Sequence, residues 1–477
     1  MRRDRLPALF VLLGLLVAGI TLGLWLGSGG SNRASSVPSE PPTPPTAALP
    51  PTVTTPAPPP PAPTPPTPAS PAVVGLTPFA GMLTWSTAVP STLRVAVGTT
   101  SLGPTRWLPA SGPSTSHAVP IGSLTPGRTY AAWLELSEGG VSRTEQLGFT
   151  TPAVTTRPVA TTDGGVLRLD GEPWVPLMSW GLCSDLIQTA LVPGVNLLAA
   201  NPCGGLEAQV SAAAGRALSA GTGADAAGGP GEAIGWFHPD EADAHGYRGE
   251  NLPPVPMRPV FLTLTNHFYS GAAPLPEGRG MVPGLIAASD VVGFDLYPLQ
   301  EWCRPERIGE VFESQQELVA LAPGKPTFQW IEAAAMKCGT DGEVAITPQT
   351  VRLESWLAFA GGAQGLGFFP TGWTAEVEKA IARVAEESAA LTPALTGERL
   401  SAEVKSPLRA GARRGGGALL VAVANPTRAG RPLRVTVPGL GGRELRELES
   451  GRTVRADGDT ISDTIGPLAV RLYVARA

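Results

Sequence analysis

Two glutamates carry the most pointed chemical suggestion in this chain. Trp236-Phe237-His238-Pro239-Asp240-Glu241 closes one strand-like segment, and Gln329-Trp330-Ile331-Glu332 closes another. A pair of carboxyl groups, one loaded with a proton and one ionised, is what cleavage of a glycosidic bond requires. The first protonates the leaving oxygen, and the second attacks or stabilises the sugar carbon. Around similar segment ends stand Trp180, Asn201, His267, Tyr297, Trp330 and Trp373. Aromatic faces suit the C–H side of a pyranose, and polar tips fix its hydroxyls. Taken singly, a Glu at a strand end is more often a solvated loop residue and a Trp often a cap on the core. Only the joint placement points to a site. His238 and His245 lie near Asp240 and Asp243 without a recognised ligand spacing, so neither metal nor cofactor is expected.

Those residues need a frame that brings them together. Between 163 and 396, strand-like runs alternate with helix-like ones, which argues for parallel strands joined by helical crossovers. Eight strands are expected: Trp174–Gly181, Val195–Asn201, Ala217–Gly221, Ile234–Glu241, Val260–Thr265, Val291–Leu299, Thr327–Glu332 and Leu366–Thr371. Two of the helices are clear from their apolar stripes. Glu306–Ala322 carries Ile308, Val311, Phe312 and Leu318, and Ala375–Leu391 carries Val377, Ala380, Ile381 and Val384. A Gly/Ala-rich run over 223–230 leaves little room for a third helix. The sum is a minimal (β/α)8 TIM barrel, whose working face lies at the C-terminal ends of the strands. On that face Glu241 follows strand four and Glu332 follows strand seven, across the mouth from each other.

This arrangement resembles the clan A glycoside hydrolases over about 230 residues. The resemblance implies Glu241 as acid/base and Glu332 as nucleophile, retention of configuration, and carboxyl groups about 5–5.5 Å apart. It also implies that Val166–Trp174 forms a hairpin leading into the first strand, that the Tyr297 hydroxyl keeps the nucleophile ionised, and that Trp373 floors the sugar subsite. Trp180, Asn201, His267 and Trp330 would face the same mouth. The clan usually carries Asn before the acid/base, where this chain has Asp240. An Asp there accepts a sugar hydroxyl, and two adjacent carboxylates push one pKa up.

The barrel makes a separate test of the four cysteines. Cys183 and Cys203 follow strands one and two, and Cys303 and Cys338 follow strands six and seven, so each pair sits on neighbouring loops. Bridges Cys183–Cys203 and Cys303–Cys338 are expected, one of three possible connectivities.

The flanks are of other kinds. Over 1–34, Arg2, Arg3 and Arg5 precede the apolar run from Leu6 to Gly27, about 22 residues, enough to span roughly 30 Å of hydrocarbon as a signal-anchor helix. A cleaved signal peptide is the alternative. Residues 35–72 are a Pro/Thr-rich linker that favours extended chain. Residues 73–153 alternate short β-rich runs with turns. Leu124–Tyr130 resembles the tyrosine corner of fibronectin type III domains, and Trp85 their core tryptophan. Residues 400–477 repeat the all-β signature, which suggests a second β-sandwich.

Composition narrows the functions. With 35 Lys+Arg against 40 Asp+Glu, a net charge of −5 and no basic cluster in the sequence, nucleic acid has no electrostatic footprint here. The leading expectation is a membrane-anchored glycoside hydrolase, monomeric, acting on an oligo- or polysaccharide outside the cytoplasmic membrane, or secreted if the N-terminal segment is cleaved. The alternative is a non-catalytic carbohydrate-binding or cell-envelope protein on a degenerate barrel. A purely structural surface protein would show a mouth without aromatic lining.

Overall fold

The computed structural model describes residues 69–476 except 77–80, 101, 109–110, 122–123, 125–126, 139–140, 153–159, 201–202, 215, 223–232 and 253–257. The expected anchor, most of the linker, Asn201 and the region of the third helix lie outside the described residues. Among the described residues no helix is long and apolar enough to cross a membrane.

Eight parallel strands close into a barrel: β1 (Leu177–Trp180), β2 (Leu197–Ala199), β3 (Leu218–Thr222), β4 (Ala233–Phe237), β5 (Val260–Leu264), β6 (Val291–Asp295), β7 (Thr327–Glu332) and β8 (Gly365–Phe369). Each falls within or against an expected strand. Closure is direct, since β1 pairs with both β2 and β8. Among the described residues six α-helices are interspersed: α1 (Ile187–Ala190), α2 (Gly205–Ala213), α3 (Val282–Ala287), α4 (Glu310–Leu321), α5 (Pro348–Gly361) and α6 (Ala375–Leu395). Thr347 caps α5 and Thr374 caps α6, each hydroxyl accepting a backbone N–H of the first turn.

The strands alternate faces, as a barrel requires. Phe328 and Trp330 of β7 enter the interior with Met178, Phe237 and Phe261, while Ile331 joins the outer layer against the helices. Aromatic rings fill the interior, with Phe237 stacked on Phe261 at 4.9 Å and Trp330 edge-on to Phe328 at 5.8 Å. Gly293 on β6 and Gly367 on β8 make room for them, because a Cβ at either would run into the Phe328 or Trp330 ring. The hairpin strands Ala160–Asp163 and Val166–Leu169 pair beneath the barrel, and Leu167 and Leu169 join its interior cluster. Both leucines are buried there, so this hairpin covers apolar surface at the end of the interior away from the strand C-termini.

Two all-β regions flank the barrel. Six strands between Ala69 and Thr150 form an antiparallel sheet around Gly81–Gly98, with its own core of Trp85, Val95, Tyr130 and Leu134. After α6 come a six-stranded and a three-stranded sheet sharing one core that includes Val421, Val435, Ile461 and Tyr473. Arg413, on the strand Arg409–Gly415, is buried where this region meets the barrel. It donates to the carbonyls of Leu395, the last residue of α6, and Ala363, just beyond α5. Burial, with Arg399 nearby, lowers its pKa to about 9.

Candidate active site

The barrel mouth holds a cavity of about 360 Å³. Its walls are Trp180 from the end of β1, Asp240 and Glu241 after β4, Thr263 and Thr265 at β5, Asp295 and Tyr297 at β6, Trp330 of β7 and Phe369 of β8. Asn266, His267, Glu301 and Met336 complete the rim. Trp330 is locked as a wall, its ring nitrogen donating to the Thr263 hydroxyl at 3.1 Å and its face edge-on to Trp180 at 5.5 Å.

Glu241 reaches this cavity through an unusual backbone turn. Its φ is 47°, the left-handed region that a residue with a Cβ rarely adopts. The turn is held from two sides. The protonated Nδ1 of His245 donates to the carbonyls of Asp240 and Glu241 at 3.0 and 3.1 Å. Asp243, buried two residues on, accepts the backbone N–H of Thr265 at 3.0 Å and its hydroxyl at 2.6 Å, tying the β4 loop to the end of β5.

The electrostatics are those of crowded acids. Asp295, 9% exposed, is pushed well above the usual carboxyl range by burial and then by the Glu241 carboxylate, to which it is hydrogen-bonded. It therefore keeps its proton and donates it to Glu241. Asp240, open on its rim side, is raised to about 6 by the protein packed behind it and by Glu241. The Tyr297 hydroxyl is also pushed up, first by burial and then by Asp295. The mouth thus holds carboxyl groups that differ in their hold on a proton, which suits acid/base exchange.

Glu332 is placed differently from the expectation. It is 0% exposed and does not line the cavity. The segment after β6 folds over it, so that Leu299 N–H and Gln300 N–H donate to its two oxygens at 3.1 and 2.6 Å. Behind it stands Glu354 of α5, 1% exposed, which is hydrogen-bonded to the Glu332 side chain and approached by its backbone N–H at 3.4 Å. Burial raises Glu332 to about 7 and Glu354 well above the usual range, so the proton of this pair sits on Glu354. The carboxyl hydrogen-bonded to Glu241 is Asp295, and Tyr297 lies within electrostatic reach of Asp295, Asp240, Glu332 and Glu241 alike.

Trp373 is not among the residues that line the cavity. Its ring nitrogen donates to the Pro370 carbonyl at 2.7 Å, and its ring packs edge-on against Phe368 in the outer layer. Phe369, one residue later than Phe368 and on the opposite face of β8, lines the cavity and stacks on Tyr297 at 6.1 Å. Trp180, Asp240, Glu241, His267, Tyr297 and Trp330 converge on the cavity. Asp295 is a site residue that period-two counting from Val291 and Gly293 places on the same inward face; Glu301 and Met336 have no such signal.

Both disulfides, Cys183–Cys203 and Cys303–Cys338, form between neighbouring loops of this face, with Cα separations of 5.1 and 5.5 Å. Next to the second, Gln300 donates to the carbonyls of Gly339 and Val344 and accepts the N–H of Met336, fastening the β7 loop beside the cavity.

No protein-family model matches this chain, and no curated protein matches it. Solved structures with a partial likeness include a GH27 β-L-arabinopyranosidase from Geobacillus stearothermophilus in complex with arabinose, 14% identical, TM-score 0.34. That match covers 46% of this chain and 51% of that one, so the chain spans about half of that protein. A putative α-galactosidase/melibiase from Bacteroides fragilis is 12% identical over 84% of this chain and 95% of that one, TM-score 0.39. A GH30 endoxylanase from Clostridium papyrosolvens is 9% identical over 67% and 98%, TM-score 0.41. The barrel assignment rests on the strand pairing itself.

Proposed function

We propose that the barrel mouth binds a saccharide and hydrolyses a glycosidic bond, with Glu241 giving and retaking the proton. The observation that carries this reading is the hydrogen-bonded pair Glu241 and Asp295 opening onto an aromatic-walled cavity. The proton of this pair passes through Glu241 to the leaving oxygen and is replaced from the attacking water, and Asp240 on the same wall is the second carboxyl available to the sugar carbon or to that water. Trp180, Trp330 and Tyr297 offer the apolar faces, and His267, Asn266 and Glu301 the hydroxyl contacts. The retaining route through Glu332 would need the Leu299–Gln300 segment to lift from that carboxylate. The test is a panel of chromogenic glycosides with wild type, Glu241→Gln, Asp240→Asn and Glu332→Gln, with the first-formed anomer read by NMR. Loss of turnover in Glu241→Gln but not in a correctly folded Glu332→Gln supports this reading; turnover unaffected by Glu241→Gln would overturn it.

One observation favours a second reading, a non-catalytic carbohydrate-binding barrel. Glu241 and Asp295 touch, whereas a pair flanking a glycosidic bond stands about 5–9.5 Å apart. Sugar binding with no turnover in wild type would select it. In either case we place the chain outside the cytoplasmic membrane, as a monomer. Leu6–Gly27 would be its anchor and 35–72 its stalk, the region 73–153 a fibronectin-like spacer and 400–477 a supporting β-sandwich. Two disulfides and no free cysteine suit that oxidising setting.

A further inference from the structure

The chain is acidic overall, yet one cleft remote from the barrel mouth is lined by three arginines, Arg443, Arg446 and Arg476, against a single acid, Glu444. It lies where Pro104 and Trp107 of the N-terminal sheet region meet the C-terminal sheets, and its volume is about 460 Å³. One nearby acid is already engaged. Glu135 serves both Arg94, at 3.3 Å, and Arg476, at 3.2 Å, while Glu444 faces Arg455 across its strand pair. Arg443 and Arg446 have no carboxylate within 4 Å among the described residues.

Arg446 is the sharper of the two. Its guanidinium presses against Gly103, where any side chain would collide with it, and Nη1 is covered there with no hydrogen-bond partner among the described residues. A planar or tetrahedral oxyanion meets an arginine fork with two parallel bonds. Arg476 lies 3.8 Å over the Trp107 ring, which fixes that guanidinium at the cleft wall and leaves the ring edge as an apolar border. Arg443 is exposed, and among the described residues its side chain makes one bond, to the Arg476 carbonyl at 2.5 Å.

We propose that this cleft binds an anionic saccharide, one bearing carboxylate or phosphate groups, through Arg443, Arg446 and Arg476. It uses no residue of the barrel mouth and stands or falls separately from the hydrolase reading. The experiment is titration calorimetry of the full chain at low salt with three hexamers: oligogalacturonate, phosphorylated maltohexaose and neutral maltohexaose. The expected result is binding of at least one anionic hexamer, weakened about tenfold by Arg446→Gln and again by Arg443→Gln, and weakened by added salt. Whichever hexamer binds more tightly names the anion. Maltohexaose should respond to neither substitution. Arg443 is exposed, so its variant keeps the test valid if Arg446→Gln fails to fold. Unchanged anionic affinity in the Arg443 variant, an equal loss for maltohexaose, or inorganic phosphate binding as tightly as the hexamers would overturn the proposal.

Discussion

The barrel carries two pairs of acids that are chemically alike and do opposite things. The proton of the Glu241–Asp295 pair sits on Asp295, beside a cavity that both carboxyl groups line. Glu332 and Glu354 share one in a sealed space, with two backbone N–H groups on the carboxylate. The difference is the Leu299–Gln300 segment, which covers one pair and not the other. A carboxyl dyad is thus not a catalytic signature by itself; access decides whether its proton does chemistry or holds a loop.

The largest effect should come from Glu241→Gln, which keeps the shape and removes the titrating group. Turnover should fall by about 10²–10⁴-fold with little change in melting temperature, checked by release of a chromogenic aglycone. Next, Asp295→Ala removes the proton donor behind Glu241 and should lower kcat by roughly 10²-fold. Asp295→Asn, which still offers an N–H to Glu241, should recover part of that loss and alter the pH–rate profile.

The sealed pair should answer in stability instead. Glu332→Gln leaves one of the Leu299 and Gln300 N–H groups facing an amide and should destabilise by about 1–3 kcal/mol, read by chemical denaturation. Abolished turnover with unchanged stability would instead restore Glu332 as the nucleophile and erase the contrast between the pairs.

The pH dependence has a definite sign. Glu332 binds its proton more tightly folded, at about 7, than at its ordinary 4.5. Its contribution to stability is therefore greatest below about 4.5, declines as pH rises toward 7, and levels off above. Glu354→Gln, which removes one of the two coupled acids, should flatten that slope, as denaturation curves at pH 5 and pH 8 would reveal. The smallest effect is expected for Trp180→Ala, about 1–2 kcal/mol in sugar affinity, with the sealed pair unaffected.

Much of the frame was legible from residue pattern. The eight β-rich runs, the stripes on α4 and α6 and the pairing of all four cysteines each follow from local periodicity and neighbouring loops. The site was legible where strand alternation continues to the last residue, as for Trp330. It was not legible where a distant segment intervenes: nothing near Glu332 tells that Leu299 and Gln300 will fold over it. Nor does the run Phe368-Phe369-Pro370-Thr371-Gly372-Trp373 reveal which ring turns inward, since that depends on where β8 ends. Glu354 in the middle of the apolar helix α5 was the one advance sign of a buried acid pair.

Arg413 has a consequence for how the molecule comes apart. Its guanidinium caps buried carbonyls at the ends of two barrel helices, so the C-terminal sheets are part of the barrel's own termination. Peeling them away would strand a charge and uncap α5 and α6 at one stroke. The two regions should accordingly melt in a single cooperative transition, and excising the barrel at Thr396 should yield an insoluble fragment.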